Sequence, residues 1–523
     1  MTDFLIKWVL ILLLVFTPIA FGSQVLWAYS LMELGILLII ILWGMKGFVS
    51  SYTNPAADIQ NSQASNLAPQ SSIRLPILLL CLFLAIVLLQ MIPLPAGIVK
   101  IISPKTYELR NQLTVISSVT DNQSEMRNPE SKMPSSELPN AKSQIQNAKS
   151  EIVSSSNLNP QSWFPLTLCP LATKVEFFKW LALTGLFIFL LHWRIPNNWD
   201  RVANHLIIAI LLVGVFESLY GIFEFFSGHR HILNLDWSSR ITSVTGTFVN
   251  RNYFAGYLLM VIPLGISLLF SREADQYGRF MGWRHRLSSL HGKTLLLLFG
   301  LILMILGLIL SASRMGIVSL LISFSLISFL FRRTHRERRI SGVPIMIFGL
   351  ALLWAAWIGL DAVISRFFTA TESLKLRWVF WVNTFRILWD FPFLGCGLGT
   401  FMEVFPLYRS FHIVGLATHA ENDYLQLASE VGLIGAGLLF FLFLFLFLKA
   451  ASGIRALPPG EPKRYIGIGG LVGILALMFH SIVERNIQVP ANAFLYTVIW
   501  AMILRITAAS NGKGITREQA RGK

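Results

Sequence analysis

The chain has 523 residues, of which 54% are hydrophobic and only 13% charged, with a mean hydropathy of +0.61. Apolar runs of membrane-spanning length recur from end to end, which excludes a water-soluble globular domain and predicts an all-α, polytopic transmembrane bundle. Lys and Arg number 43 against 27 Asp and Glu, a net charge of +16. Positive-inside bias explains most of that excess, so no nucleic-acid partner is expected.

Measured against the roughly 20 residues needed to cross a bilayer, about twelve spans are predicted. They fall near 4–21, 25–43, 75–92, 174–192, 204–226, 252–270, 294–311, 315–331, 343–360, 430–448, 466–482 and 493–508. The first run carries only Lys7 as a leading charge and has no small-x-small cleavage site, so it reads as a span and not as a signal peptide. Arg272, Arg279, Arg284, Arg286 and Lys293 fill one short connection, and Arg332, Arg333, Arg336, Arg338 and Arg339 another. Both are expected on the cytoplasmic side, and alternate counting then puts both termini there.

This topology divides the chain into N-terminal transmembrane helices (1–110), an insertion (111–161), a transmembrane core (162–360), a large outer loop (361–429), and C-terminal helices with a tail (430–523). The insertion is rich in Ser, Asn, Gln, Pro and Lys and nearly free of aromatics, a composition that cannot offset the entropy of ordering; it is predicted to be disordered. The large loop instead carries Trp378, Phe380, Trp381, Phe385, Ile387, Leu388 and Trp389 at helical spacing and then a glycine-rich turn, FLGCGLGTF, so it is predicted to fold as helices. Cys81, Cys169 and Cys396 are too few and too scattered for a disulfide framework or a metal site.

Several residues on the outer side are candidates for chemistry. Arg314, in SASRMG, stands in a short turn away from the cytoplasmic charge that the positive-inside rule explains. It either snorkels to headgroups or offers its planar fork to phosphate oxygens. Arg377 opens the amphipathic part of the large loop, near Arg366 and Arg386; two arginines over a membrane cavity would neutralise a pyrophosphate without a metal, although a solvated helix face is the plain alternative. Arg251, in GTFVNRNYFAG, is a further candidate.

His419 lies in THAENDYLQLASEVGLIG. On a helix beginning at Thr418 it would share a face with Asn422, Gln426 and Glu430, and a histidine suits proton movement at neutral pH. Thr418-x-x-Glu421 also reads as a capping box, which would make Glu421 structural. Glu217 and Glu224 share a helix face with no clear role, and Glu484, Arg485 and Asn486 either join the site or pair among themselves. His229-Arg230-His231 lacks a carboxylate pair, so no metal is expected there.

GTFVNRNYFAGYLLMVIPL, SASRMGIVSL, RWVFWVNTFRILWDFPFLGCGLGTF, HAENDYLQLASEVGLIG and HSIVERNIQVPANAFLY, in that order, resemble the O-antigen ligase and O-antigen polymerase superfamily of bacterial envelope glycosyltransferases. The resemblance spans about 244–506. It implies a multi-pass protein of the bacterial inner membrane with cytoplasmic termini and a periplasmic active site. Such a protein transfers a glycan from undecaprenyl pyrophosphate to a hydroxyl of lipid A core, another lipid, a glycan or a protein, without metal or other cofactor.

By the same resemblance Arg314 and Arg377 would hold the donor pyrophosphate, with Arg251 a third candidate from its position alone, and His419 would be the periplasmic histidine that helps deprotonate the acceptor or steadies the leaving group. Many members have His directly before the helix Asn, where this chain has Glu421, so the resemblance leaves the base open between His419 and Glu421. Ligase and polymerase share this chemistry. A lipid-linked-glycan transporter would instead predict inverted repeats and midplane charge, and a structural envelope protein would leave these residues incidental.

Overall fold

The computed structural model describes residues 2–53, 71–112, 163–193, 199–229, 231–233, 235–236, 243–276, 292–331, 343–358, 370–411 and 417–521. The insertion beyond Gln112, the arginines of the two basic connections other than Arg272, and Arg366 lie outside them.

The helices that build the bundle are α1 (Thr2–Ile19), α2 (Leu26–Thr53), α3 (Ser71–Met91), α4 (Ala96–Ile102), α5 (Pro170–His192), α6 (Trp199–Ser227), α7 (Arg251–Gln276) and α8 (Gly292–Leu310). They continue as α9 (Arg314–Leu330), α10 (Val343–Ile358), α11 (Ala370–Asp390), α12 (Phe401–Val404), α13 (Asp423–Ala456), α14 (Pro462–His480) and α15 (Pro490–Arg521). Two short antiparallel strand pairs, Leu94–Pro95 with Trp163–Phe164 and His231–Ile232 with Leu235–Asp236, are the β-structure among the described residues. Ten helices are long and apolar enough to cross a membrane, and Arg314–Leu330 and Pro344–Trp357 are shorter apolar helices. Each of the twelve predicted spans therefore falls on a helix, and the chain is a polytopic membrane bundle.

Helix α7 is the axis of the bundle: its residues 252–271 are all buried, and its main partner is α14. Small residues allow this approach. A Cβ at Gly469 would stand 2.6 Å from the Pro263 carbonyl oxygen, and one at Gly473 2.8 Å from that of Met260. Where lipid removes the hydrophobic drive between helices, such close backbone packing is what holds them together.

The large loop folds as expected. Helix α11 turns Ile387 into a cluster with Phe391, Phe401, Phe405 and Ala420. Its other face carries Trp378, Phe385 and Trp389 outward, Trp389 remaining 75% exposed.

The glycine-rich turn has a specific partner. Helix α13 breaks at Gly432, whose φ of 69° and ψ of 179° suit glycine alone. The break frees carbonyls in mid-helix, and the turn takes them: Cys396 N–H donates to Ser429 O and Gly397 N–H to Glu430 O, both at 3.0 Å. In return Leu433 N–H donates to Pro392 O at 2.8 Å. Gln90 of α3 seals the junction, its Nε2 donating to Glu430 O at 2.9 Å and its Oε1 accepting from Leu398 N–H at 3.1 Å.

Helix α13 begins at Asp423, not at Thr418. Asn422 is the cap, accepting from Leu425 N–H, and the Thr418-x-x-Glu421 box does not form because Glu421 takes a left-handed φ of 53°. Gln426 and Glu430, expected to face the site with His419, are instead buried and bonded to each other at 3.0 Å. Glu430 also accepts from Gly399 N–H at 2.9 Å. Glu217 is likewise committed, accepting from Thr247 N–H at 2.8 Å and Thr247 Oγ1 at 2.7 Å. All three described cysteines are free thiols; burial pushes that of Cys396 up to about 12.

Candidate functional site

Five chain segments meet at one end of the bundle. The first residue of α9 is Arg314, the N-terminal half of α11 presents Arg377, and the segment before α13 presents His419 and Glu421. The loop between α14 and α15 presents Glu484 and Arg485, and the start of α7 presents Asn252 and Tyr253.

The turn before α9 is tightly specified. Ser311 Oγ donates to Leu308 O at 2.6 Å, Ala312 adopts a left-handed φ of 52°, and Ser313 caps α9 by accepting from Gly316 N–H. Ser313 Oγ also stands 3.5 Å from His480 Nε2, while His480 Nδ1 lies 3.3 Å from Asn486 Nδ2. An amide NH2 only donates, so His480 accepts at Nδ1 and carries its proton on Nε2. This chain of contacts ties the Arg314 turn to the loop that holds Glu484 and Arg485. The same loop is anchored from α13, where Asp423 accepts the backbone N–H groups of Asn486 and Ile487, each at 2.7 Å.

At the centre, Arg377 forms an ion pair with Glu484. The Glu484 side chain is 4% exposed and that of Arg377 18%. Arg314 is close enough to interact electrostatically with both. Asn252 and Glu421 flank the Glu484 carboxyl, whose Oε2 is buried without a hydrogen-bond partner. Burial pushes the Glu484 carboxyl above the ordinary carboxylate range; the Arg377 guanidinium opposes this and the Glu421 carboxylate adds to it.

Beside this group, His419 Nε2 lies 2.6 Å from Arg485 Nη1, and His419 Nδ1 is buried with no partner. Burial, then the positive charges of Arg485 and Lys179, hold the His419 imidazole well below its usual value. Tyr253 bonds Arg485 from α7. Trp381 Nε1 donates to Glu421 O at 3.3 Å, linking α11 to the left-handed residue. Glu421 and Ala312, each strained and each two residues from a candidate, are held only because neighbouring elements over-determine them.

Of the residues singled out in the sequence, Arg314, Arg377, His419 and Glu421 therefore come together. Arg251 stands at the N-terminus of α7, one residue before Asn252. Glu484 and Arg485 join the site and do not pair with each other; their only sequence signal was adjacent opposite charges at a span end. His480 and Asp423 gave no signal, since their roles depend on contacts across separate helices. Among the described residues, no three His, Cys, Asp or Glu side chains are grouped as a metal site would require.

Fold and site together define a multi-pass membrane protein with an arginine-, carboxylate- and histidine-lined polar site at one end of its bundle. Residues 299–440 match the model of the O-antigen ligase family. This range includes Arg314, Arg377, His419 and Glu421. No curated protein matches the chain.

Proposed function

We propose that the protein transfers a glycan from undecaprenyl pyrophosphate to an acceptor hydroxyl at the periplasmic face of a bacterial inner membrane, in the manner of an O-antigen ligase. The observation that supports this best is the convergence of Arg314 and Arg377, from separate elements, around one buried carboxylate. Two guanidiniums suit the two phosphates of the donor, and the Glu484 carboxylate occupies the place of an anion until the donor arrives. The positive-inside pattern of the connections in the sequence supports a periplasmic position for this end of the bundle.

In the reaction the acceptor oxygen forms a bond to the anomeric carbon while the bond from that carbon to the phosphate oxygen breaks. The electron pair leaves with pyrophosphate, where Arg314 and Arg377 stabilise the charge as a metal would in other enzymes. The acceptor proton passes to a base, for which His419 and Glu421 are the candidates. A polymerase would run the same steps with a second lipid-linked repeat as acceptor.

The test is the envelope polysaccharide profile and lipid-linked glycan pool of a deletion strain complemented with wild type, Arg314→Ala or Arg377→Ala, each checked for membrane abundance. Accumulated lipid-linked glycan in normally inserted variants is expected, as full-length chains for a ligase and as single repeats for a polymerase. A deletion strain whose profile and pool match wild type would refute the assignment.

A further inference from the structure

We infer that Arg485 is a positioning residue that fixes His419 as the neutral Nδ1–H tautomer, making this histidine a hydrogen-bond donor to the reacting oxygens and leaving the acceptor's proton to Glu421. The inference rests on the transferase reading above, but its central claim concerns the state of one imidazole.

The geometry leaves little choice. A guanidinium has five N–H donors and no acceptor, so the 2.6 Å contact between Arg485 Nη1 and His419 Nε2 requires the lone pair of Nε2. An imidazolium would set two cations against each other at that distance. The neutral ring therefore carries its proton on Nδ1. That nitrogen is buried and finds no acceptor among the described residues. Leaving a buried donor unsatisfied is costly, and that cost is removed where a ligand supplies the acceptor.

The charges facing this imidazole are Arg485, from the loop between α14 and α15, and Lys179, from α5; both oppose its protonation. Arg485 cannot easily swing away. Tyr253 of α7, Glu176 of α5, and Asp423 and Glu430 of α13 all interact with it. A histidine in this setting has no free lone pair with which to take a proton. A fixed donor aimed at an oxygen gaining negative charge typically contributes on the order of 10²–10³ in rate. As the anomeric carbon–oxygen bond breaks, Nδ1–H stabilises the oxygen that receives the electron pair. The hydroxyl proton moves to the Glu421 carboxylate, which becomes a carboxylic acid.

Asparagine and glutamine separate the two ring positions, because the Asn amide reaches the place of Nδ1 and the Gln amide that of Nε2. Transfer would be measured in membranes from pH 5.5 to 8 for wild type, His419→Asn, His419→Gln, His419→Ala and Arg485→Gln. Histidine side-chain 15N spectra of the purified full-length wild type and His419→Asn would be recorded in parallel. The expected results are His419→Asn at least ten-fold more active than His419→Gln and His419→Ala, no loss of wild-type activity from imidazole protonation near pH 6.5, and a new loss on that side in Arg485→Gln. The resonance missing from His419→Asn should report a protonated Nδ1 and a bare Nε2. A protonated Nε2, or His419→Asn no better than His419→Ala beside an active wild type, would overturn the inference alone. Wild-type membranes with no transfer would overturn the transferase reading, while the spectrum would still decide the tautomer.

Discussion

Arg377 and Glu484, 107 residues apart in sequence, form a partly buried ion pair that joins the folded outer loop to the α14–α15 loop. The pair has two functions that can be separated. It holds α11 against the bundle, and under the proposed function it keeps a guanidinium in place for an incoming phosphate. Arg377→Ala should strand a buried carboxyl and lower stability by about 3 kcal/mol, and adding Glu484→Gln should restore much of that loss. Thermal unfolding in detergent would show the recovery, whereas glycan transfer should stay abolished in both variants.

The break in α13 should depend on one missing methyl group. Alanine at Gly432 would press its Cβ into the Phe393 carbonyl and adopt a backbone conformation reserved for glycine. Gly432→Ala should cost at least about 2 kcal/mol and reduce the folded fraction in membranes. Gly437→Ala, one turn on with open space around it, should stay within about 0.5 kcal/mol of wild type.

Stability should fall in mild acid partly through His419. Its folded value is depressed, so the unfolded chain takes up a proton below about pH 6.5 while the folded protein resists it. The contribution is complete above that pH and is lost as pH falls toward the folded value, at up to about 1.4 kcal/mol per pH unit. Comparing melting temperatures of wild type and His419→Asn from pH 7.5 to 5 should show the shallower slope in the variant. Equal slopes would mean that this imidazole is not held neutral.

Glu217 should prove structural. Its two bonds to Thr247 tie α6 to the segment leading into α7, well apart from the arginine cluster in sequence. Glu217→Ala should leave the Thr247 N–H unsatisfied and cost about 2–3 kcal/mol. Transfer per folded molecule, measured at matched membrane abundance, should match wild type.

By itself the sequence determined the membrane bundle and its twelve apolar helices, because burial in lipid demands long apolar runs with internally bonded backbones and such runs are local. It also singled out Arg314, Arg377, His419 and Glu421, which the fold brings together, since arginine, histidine and glutamate next to apolar helix starts are conspicuous. Tertiary structure decided what those residues do. Only the folded chain shows that Gln426 and Glu430 brace the break in α13, that Glu484 faces Arg377, and that Arg485 occupies the Nε2 of His419. Each of these depends on which helix ends share one end of the bundle, a matter of packing between distant segments that no local pattern encodes. The left-handed turn at Glu421 moved the start of α13 for the same reason: Trp381 and Gln426 hold the backbone on either side of it.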